Sequence, residues 1–378
     1  MITILADDIT GAAEIAGVCL SYGLSVTFDF DFTVQHVPAS DVWVIASDTR
    51  SLPEEDACDV VRKIACFFKE NNITSIFKKI DSALRGHIIA ETNVLLEYIP
   101  KEKVFILPAN PETGRIIQNG KYYIDGQLLN DTSFSHDPDF PAKDADVRKI
   151  LQMNFHCKSD SNSSGLNDNI IIPDISSQTD YNRYAGKINK NTLPVGGSVF
   201  FEACLKEIFQ ITLKKNILPK ALGKNRLMIC GSTHENSKKF IRHTTTFKVI
   251  EIPVKLLSVP YDSKEYKDWL NTTISIFQKE KQVLLSIEGD KPQQEAAGKT
   301  KPFFSETVKR LLQYCSIDEL FIEGGATAYS CIKSLGFSSL IPVNEYTRGV
   351  VRLRIPEKKN LYITIKPGSY EWPENLFE

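Results

Sequence analysis

Two adjacent carboxylates, Asp7 and Asp8, stand where the apolar run ITILA gives way to the alanine-rich stretch TGAAEIAG. A carboxylate pair at the end of a buried strand is costly unless a cation or a ligand hydroxyl meets it. Asp8 or Thr10 could instead N-cap the helix that follows, although capping needs only one such residue. Three more strand ends carry groups that answer the pair. Arg50 follows DVWVIA in the stretch SDTRS, where its guanidinium can clamp a carboxylate with two hydrogen bonds. The stretch KKIDSALRGH follows ITSIF and brings Lys79, Ile80, Asp81, Ser82 and Arg85 together ahead of Gly86. Arg115 ends PANPETGR, after KVFIL. Cations suit a carboxylate and carboxylates suit hydroxyls, so these four strand ends fit a small polyhydroxylated acid.

Short strands and helices must place these residues. Through the first 110 or so residues, apolar runs such as ITIL, VWVIA and KVFIL alternate with helical patterns over 11–22, 54–70 and 87–98. That alternation predicts a parallel sheet covered on both faces, and ligands of such sheets bind beyond the carboxyl ends of the strands. Residues 111–145 read as a hairpin excursion with turns at Asn119-Gly120 and Asp125-Gly126. Residues 158–169 read as a polar loop, and the segment near 215–225 as a linker. A second α/β pattern begins at RLMICGS. The expected fold is α/β with two domains, 1–220 and 221–378, each a mostly parallel sheet flanked by helices, with a cleft between them.

The whole-chain properties agree. The chain has 378 residues, 42% hydrophobic and 24% charged, ordinary values for a globular protein. A net charge of −2 argues against a nucleic-acid or membrane-surface partner. No run approaches the ~20 apolar residues of a membrane span. Met1 leads straight into the first strand and leaves no room for a secretory signal, so a cytoplasmic location is expected. The eight cysteines are scattered without a C-x-x-C pair, which predicts reduced thiols and no zinc site.

The second half offers three glycine turns after strands: CGST (230–233), EGGATA (323–328) and KPGS (366–369). Backbone amides at such turns bind phosphate oxygens. The Gly298-Lys299-Thr300 tripeptide is not a P-loop, because Gln293 stands where that motif needs glycine. It reads as a flexible loop. The histidines are isolated and suggest no nucleophile–base pair.

These stretches together resemble the four-carbon acid sugar kinase family over essentially the whole chain. The resemblance rests on ADDITGA (6–12), DTRS (48–51), Lys79 to Gly86, PANPETGR (108–115), GGSVFF (196–201), Gly231-Ser232, GGAT (324–327) and KPGSYE (366–371). It implies transfer of the γ-phosphoryl group of ATP, with Mg²⁺, to the terminal hydroxyl of threonate, erythronate or a 3-oxo-tetronate. It implies an acid site of Asp7, Asp8, Arg50, Lys79, Ile80, Asp81, Ser82, Arg85 and Arg115, with Asp8 or Asp81 accepting the proton. It implies nucleotide contacts at Ser232, Gly324, Gly325, Ala326, Thr327 and Gly368, and no metal held by a dedicated protein cage. Thr10 is then left as the expected helix cap. Ala326 stands where the family carries an acid, and the 366–371 turn lacks the family's glycine run. The alternative is a non-catalytic or altered-specificity sugar-acid-binding protein on the same scaffold. The partner is a small-molecule sugar acid, not nucleic acid or membrane, and a homodimer is left open.

Overall fold

The computed structural model describes residues 1–30, 32, 36–137, 140–153, 169–210, 221–232, 234–289 and 294–377. Most of the polar segment 158–169 and of the linker near 215–225 lies outside the described residues. In chain order the first half contains β1 (Ile2–Ala6), α1 (Ile9–Ser21), β2 (Val26–Phe30), β3 (Val42–Ala46), α2 (Glu54–Glu70), β4 (Ile76–Lys79), α3 (Ile88–Tyr98) and β5 (Lys103–Leu107). Then come β6 (Arg115–Gln118), β7 (Lys121–Ile124), β8 (Gln127–Leu128), α4 (Val147–Met153), β9 (Ile170–Ile171), α5 (Gln178–Ala185), β10 (Thr192–Gly196) and α6 (Ser198–Phe209). The second half contains β11 (Arg226–Cys230), α7 (Glu235–His243), β12 (Lys248–Ile252), α8 (Lys264–Glu280), β13 (Gln282–Ile287), α9 (Gln294–Tyr314), β14 (Glu319–Glu323) and α10 (Gly325–Ser334). It ends with β15 (Ser339–Thr347), β16 (Val350–Ile355) and β17 (Lys358–Lys366).

Among the described residues one sheet holds fourteen strands in the order β12-β13-β11-β14-β17-β16-β15-β2-β3-β1-β4-β10-β5-β9. From β2 to β9 every pairing is parallel, as is every pairing from β12 to β17. Strands β15 and β16 join the two parallel blocks through antiparallel pairings. The buried apolar runs of β1 and β3 are those of strands covered on both faces. Strands β6 to β8 form the separate hairpin sheet that the glycine turns predict.

Helix α1 sits between the blocks. Every residue from Ile9 to Cys19 is buried, and the helix packs on β1, β2 and β3 as well as on β15, β16, β17 and α10. Its alanines and glycines answer that crowding. A side chain at Gly17 would stand 2.8 Å from the Glu345 carboxylate and 3.0 Å from Val351.

Two readings are corrected. Gly298-Lys299-Thr300 lies inside α9, not in a loop, even though Pro302 falls within the same helix. Phe303 and Phe304 are fully buried there, so tertiary packing overrides local breakers. Thr10 is not the helix cap. Asp8 has the extended backbone of an N-cap, and its side chain accepts from the Gly11 amide at 2.9 Å.

The loop from Lys79 to Gly86 is anchored from beneath. Lys78 on β4 and Glu91 on α3 form an ion pair at 0% and 1% exposure. Removing one partner of such a pair strands a buried charge and costs about 3–5 kcal/mol. Glu91→Ala should therefore lose about that much stability in urea unfolding, whereas Lys78→Met combined with Glu91→Leu should recover most of it. Equal losses in the two variants would contradict the ion pair as the anchor.

Candidate active site

The acidic and basic side chains singled out in the first half follow strand ends. Asp7 and Asp8 follow β1, and Arg50 follows β3. The Arg50 guanidinium donates from Nε to Asp7 Oδ2 at 2.9 Å and from Nη2 to Asp7 Oδ1 at 2.8 Å. Nη2 also reaches Asp8 Oδ1 at 2.8 Å, and Nη1 stands 3.8 Å from Asp81 Oδ1. One cation thus serves three carboxylates. Thr10 Oγ1 donates to Asp8 Oδ2. Burial by itself would push the Asp8 carboxyl up. The charges of Arg50 and Lys79, with the bonds from Thr10 and Gly11, outweigh it and hold Asp8 below its ordinary value.

The loop after β4 closes tightly over this cluster. Gly86 takes φ +95°, and a Cβ there would meet Asp7 Oδ2 at 3.2 Å and Arg50 Cγ at 3.4 Å, so only glycine suits the position. Asp81 accepts from the Ala83 amide at 3.1 Å and from Arg85 Nε and Nη2 at 2.8 and 3.0 Å. Burial opposes its charge, but Arg85 and Arg50, with Arg115 behind them, hold its carboxyl well below the usual range. Arg85 also reaches Asp137 at 3.1 Å. The guanidiniums of Arg85 and Arg115 lie 5.3 and 5.6 Å from the Phe134 ring centroid. Arg115 donates to the Ser82 hydroxyl, and the Tyr122 hydroxyl donates to the Ser82 carbonyl. Lys79 Nζ donates to the Ile80 carbonyl at 2.9 Å and stands 3.8 Å from Glu14 Oε2. The Ile80 side chain is buried in the core, so its carbonyl is the group it offers Lys79.

The second half brings its three glycine turns together. The Ser232 hydroxyl accepts from the His234 amide at 3.1 Å, and a Cβ at Gly368 would collide with that same hydroxyl. Gly324, at φ +96°, caps α10, and its amide donates to the Lys366 carbonyl at 2.9 Å. A Cβ at Gly231 would strike the Thr327 hydroxyl, so Ser232, Gly324, Thr327 and Gly368 form one cradle. Ala326 occupies the first turn of α10 beside them. Beneath the cradle, the buried Glu323 carboxylate takes the Trp372 indole N–H at 3.0 Å and Lys366 Nζ at 3.3 Å.

The two sets meet. A Cβ at Gly325 would stand 3.0 Å from Asp8 Oδ2 and 3.2 Å from the Thr10 hydroxyl. The amino end of α10 therefore opens beside the acid cluster, where a helix terminus favours an anion. Burial and the Lys366 charge push the His234 imidazolium down, and Arg115 from the other half adds to this. Among the described residues, no group of three or more His, Cys, Asp or Glu side chains is placed to hold a metal ion.

Tyr122, Phe134 and Asp137 escape the sequence reading, and so do four further residues of this region. Glu14 looks like one polar residue in an apolar helix, yet it accepts from Ser198 at 2.8 Å and from Tyr370 at 3.4 Å. Ser198 and Tyr370 lie within stretches that the resemblance covers but carried no role there. Asp48 is the fourth. It has φ +51°, in the left-handed region, and is half-buried.

A two-block α/β protein with a polar cleft, acidic and cationic on one wall and glycine-lined on the other, is the class that these features define. Residues 2–204, more than half of the chain, match the model of the family described as "Sugar-binding N-terminal domain", and the chain belongs to that family. A 3-oxo-tetronate kinase of Actinobacillus succinogenes is 22% identical, covering 100% of this chain and 98% of that relative. One of Brucella melitensis is 30% identical over 44% of this chain, a match that spans only 39% of that relative's length. A D-threonate kinase of Salmonella typhimurium is 26% identical over 40% of this chain and 36% of its own. Among solved structures, a Haemophilus influenzae protein of the DUF1537 family superposes with a TM-score of 0.71 at 19% identity, covering 100% and 98% of the two chains. A Salmonella typhimurium LT2 protein does so at 0.79 and 18%, covering 100% and 97%. Both show the same mixed α/β fold. In the described part of the chain no helix is long and apolar enough to cross a membrane.

Asp48 yields a pH test. Burial and the neighbouring Asp8 charge push its carboxyl up to about 7, against the opposing pull of Lys301, Arg50 and Lys333. Its folded pKa thus lies above its unfolded value of about 3.9. The folded state holds the proton longer, so this group lowers stability as pH rises from about 4 to about 7. Asp48→Asn should match the parent near pH 4 and exceed it increasingly up to about pH 8, as read from urea midpoints. A variant that tracks the parent across that range would refute the assignment.

Proposed function

We propose that this chain is an ATP-dependent kinase that phosphorylates the terminal hydroxyl of a four-carbon sugar acid such as threonate, erythronate or 3-oxo-tetronate. The observation that carries the reading is the approach of Gly325, at the amino end of α10, to the Asp8 carboxylate. A donor phosphate on the glycine cradle and an acceptor hydroxyl at Asp8 would then be neighbours, which is the positioning that phosphoryl transfer asks for. The kinase names of relatives that match the whole chain or about two fifths of it support the same reading.

In this reading residues 1–220 hold the acid and residues 221–378 hold the nucleotide. Arg85 and Arg115 meet the substrate carboxylate across Phe134, and Ser82 hydrogen-bonds it. Arg50 keeps Asp7 and Asp8 together, Lys79 stands by Asp8, and Ile80 supplies the carbonyl that fixes Lys79. Asp8 orients the attacking hydroxyl and takes its proton. A depressed pKa keeps it deprotonated throughout the working range. Asp81 turns Arg85 toward the acid. Ser232, Gly324, Gly325, Ala326, Thr327 and Gly368 face the phosphates. The cradle fits ATP at Gly324, where a Cβ would find no atom nearer than Thr327 Oγ1 at 3.9 Å and the Ser232 nitrogen at 4.0 Å, room for a phosphate beside the amino end of α10. Mg²⁺ would enter on the phosphates and supply charge neutralisation there, as is usual where no dedicated protein cage exists.

A coupled ADP-release assay over D- and L-threonate, D- and L-erythronate and their 3-oxo forms tests the proposal. The expected result is ADP formation stimulated by at least one acid, with Asp8→Asn lowering kcat by about 10²–10⁴-fold. Tight acid binding by calorimetry without ADP release from any of them would instead favour the non-catalytic binding protein, for which Ala326 is the motive.

A further inference from the structure

One side chain of the nucleotide half reaches into the acid half. The Tyr370 hydroxyl lies 3.4 Å from Glu14 Oε1, the same oxygen that accepts from Ser198 at 2.8 Å. The other Glu14 oxygen stands 3.8 Å from Lys79 Nζ. We propose that Tyr370 is a positioning residue that couples the two subsites, so that phosphates on the glycine cradle tighten the grip of the acid pocket. The inference rests on the kinase reading.

Both ends of the linkage are built. Tyr370 is the last residue of the turn that carries Gly368. Lys366 Nζ holds that turn through the carbonyls of Pro367 at 2.9 Å and Tyr370 at 2.5 Å. The Tyr370 amide donates to the Pro367 carbonyl at 3.1 Å, and Asn236 donates to the Ser369 carbonyl at 3.2 Å. A ligand that orders this turn therefore orders the Tyr370 backbone. The ring has little room to turn aside, because Gly349, at φ +78°, lies so close that a Cβ would approach it to 2.7 Å.

At the other end the phenol meets the charges of the acid pocket. Glu14 and burial push its hydroxyl up, Arg115 pulls it down and Asp81 adds to the rise, so it remains a hydrogen-bond donor. Glu14 passes the contact on. Lys79 borders Asp8 closely enough that a Cβ at Gly11 would meet Asp8 Oδ1 at 2.6 Å and Lys79 Nζ at 2.9 Å. The chain of contacts runs from the phosphate turn through Tyr370, Glu14 and Lys79 to Asp8. Coupling of this kind is reciprocal and typically spans about 5–150-fold in affinity.

Calorimetry on the full chain tests it, with Mg²⁺ and the non-hydrolysable analogue AMP-PNP as one ligand and the tetronic acids above as the other. In the parent protein, AMP-PNP should tighten acid binding about ten-fold. In Tyr370→Phe that factor should fall to roughly one, while each ligand alone binds within about two-fold of the parent. Phenylalanine keeps the ring against Gly349 and removes only the hydroxyl, and Glu14→Gln, which still accepts, should keep a measurable part of the coupling. Full coupling in Tyr370→Phe, or independent binding of the two ligands in the parent, would overturn the inference alone. Absence of AMP-PNP binding to the parent protein would overturn the kinase reading, and the inference with it.

Discussion

Everything in the acid wall depends on where Arg50 puts its charge. Asp7 and Asp8 are adjacent, buried and both bonded to it, and Asp81 stands within 3.8 Å of the same guanidinium. Without that cation, three carboxylates at the edge of a low-dielectric sheet would be forced to take up protons. With it, Asp8 and Asp81 stay below their ordinary values. Arg50 is thus occupied by the protein's own acids. Arg85 is held in the same way by Asp81 and Asp137, and Arg115 lies beside it over the Phe134 ring. Asp48, which Arg50 does not bond, shows what happens to a carboxylate left outside the arrangement.

Helix α1 turns this local electrostatics into architecture. It begins at Asp8, carries Glu14 two turns on, and is buried against both parallel blocks. Small residues on its faces let β15 and β16 approach, and the same closeness brings Gly325 of α10 to Asp8. The helix that is capped by the acid cluster therefore also fixes how far the glycine cradle stands from it.

The strand ends are legible in the sequence because each signal is local: an apolar run, then a dense set of polar residues. The parallel blocks are legible for the same reason. What escapes is long-range. Strand β15 joins the blocks, but its buried positions hold Leu340, Pro342 and Asn344, and a proline and an amide do not spell a strand. The cap at Asp8 rather than Thr10 goes with Oδ1 of Asp8 accepting from both Arg50 and the Gly11 amide while Thr10 donates to Oδ2, and no spacing reveals that. Glu14 and Tyr370 are 356 positions apart, and neither is unusual in its own surroundings. The early part of α9 carries Gly298 and Pro302, whose local meaning is overruled by the buried rings of Phe303 and Phe304.

The joint between the blocks has its own consequence. Strands β15 and β2 are paired only at Ser339–Asp29 and Leu340–Phe28. The parallel pairings on either side are longer, with five matched positions between β2 and β3 and five between β14 and β17. Each backbone hydrogen bond contributes about 1 kcal/mol net, so the sheet by itself joins the two blocks weakly, and the packing of α1 against both carries much of the joint. The continuous sheet and α1 thus divide the work: the short seam sets the line along which the two blocks meet, and the buried helix holds them at that spacing.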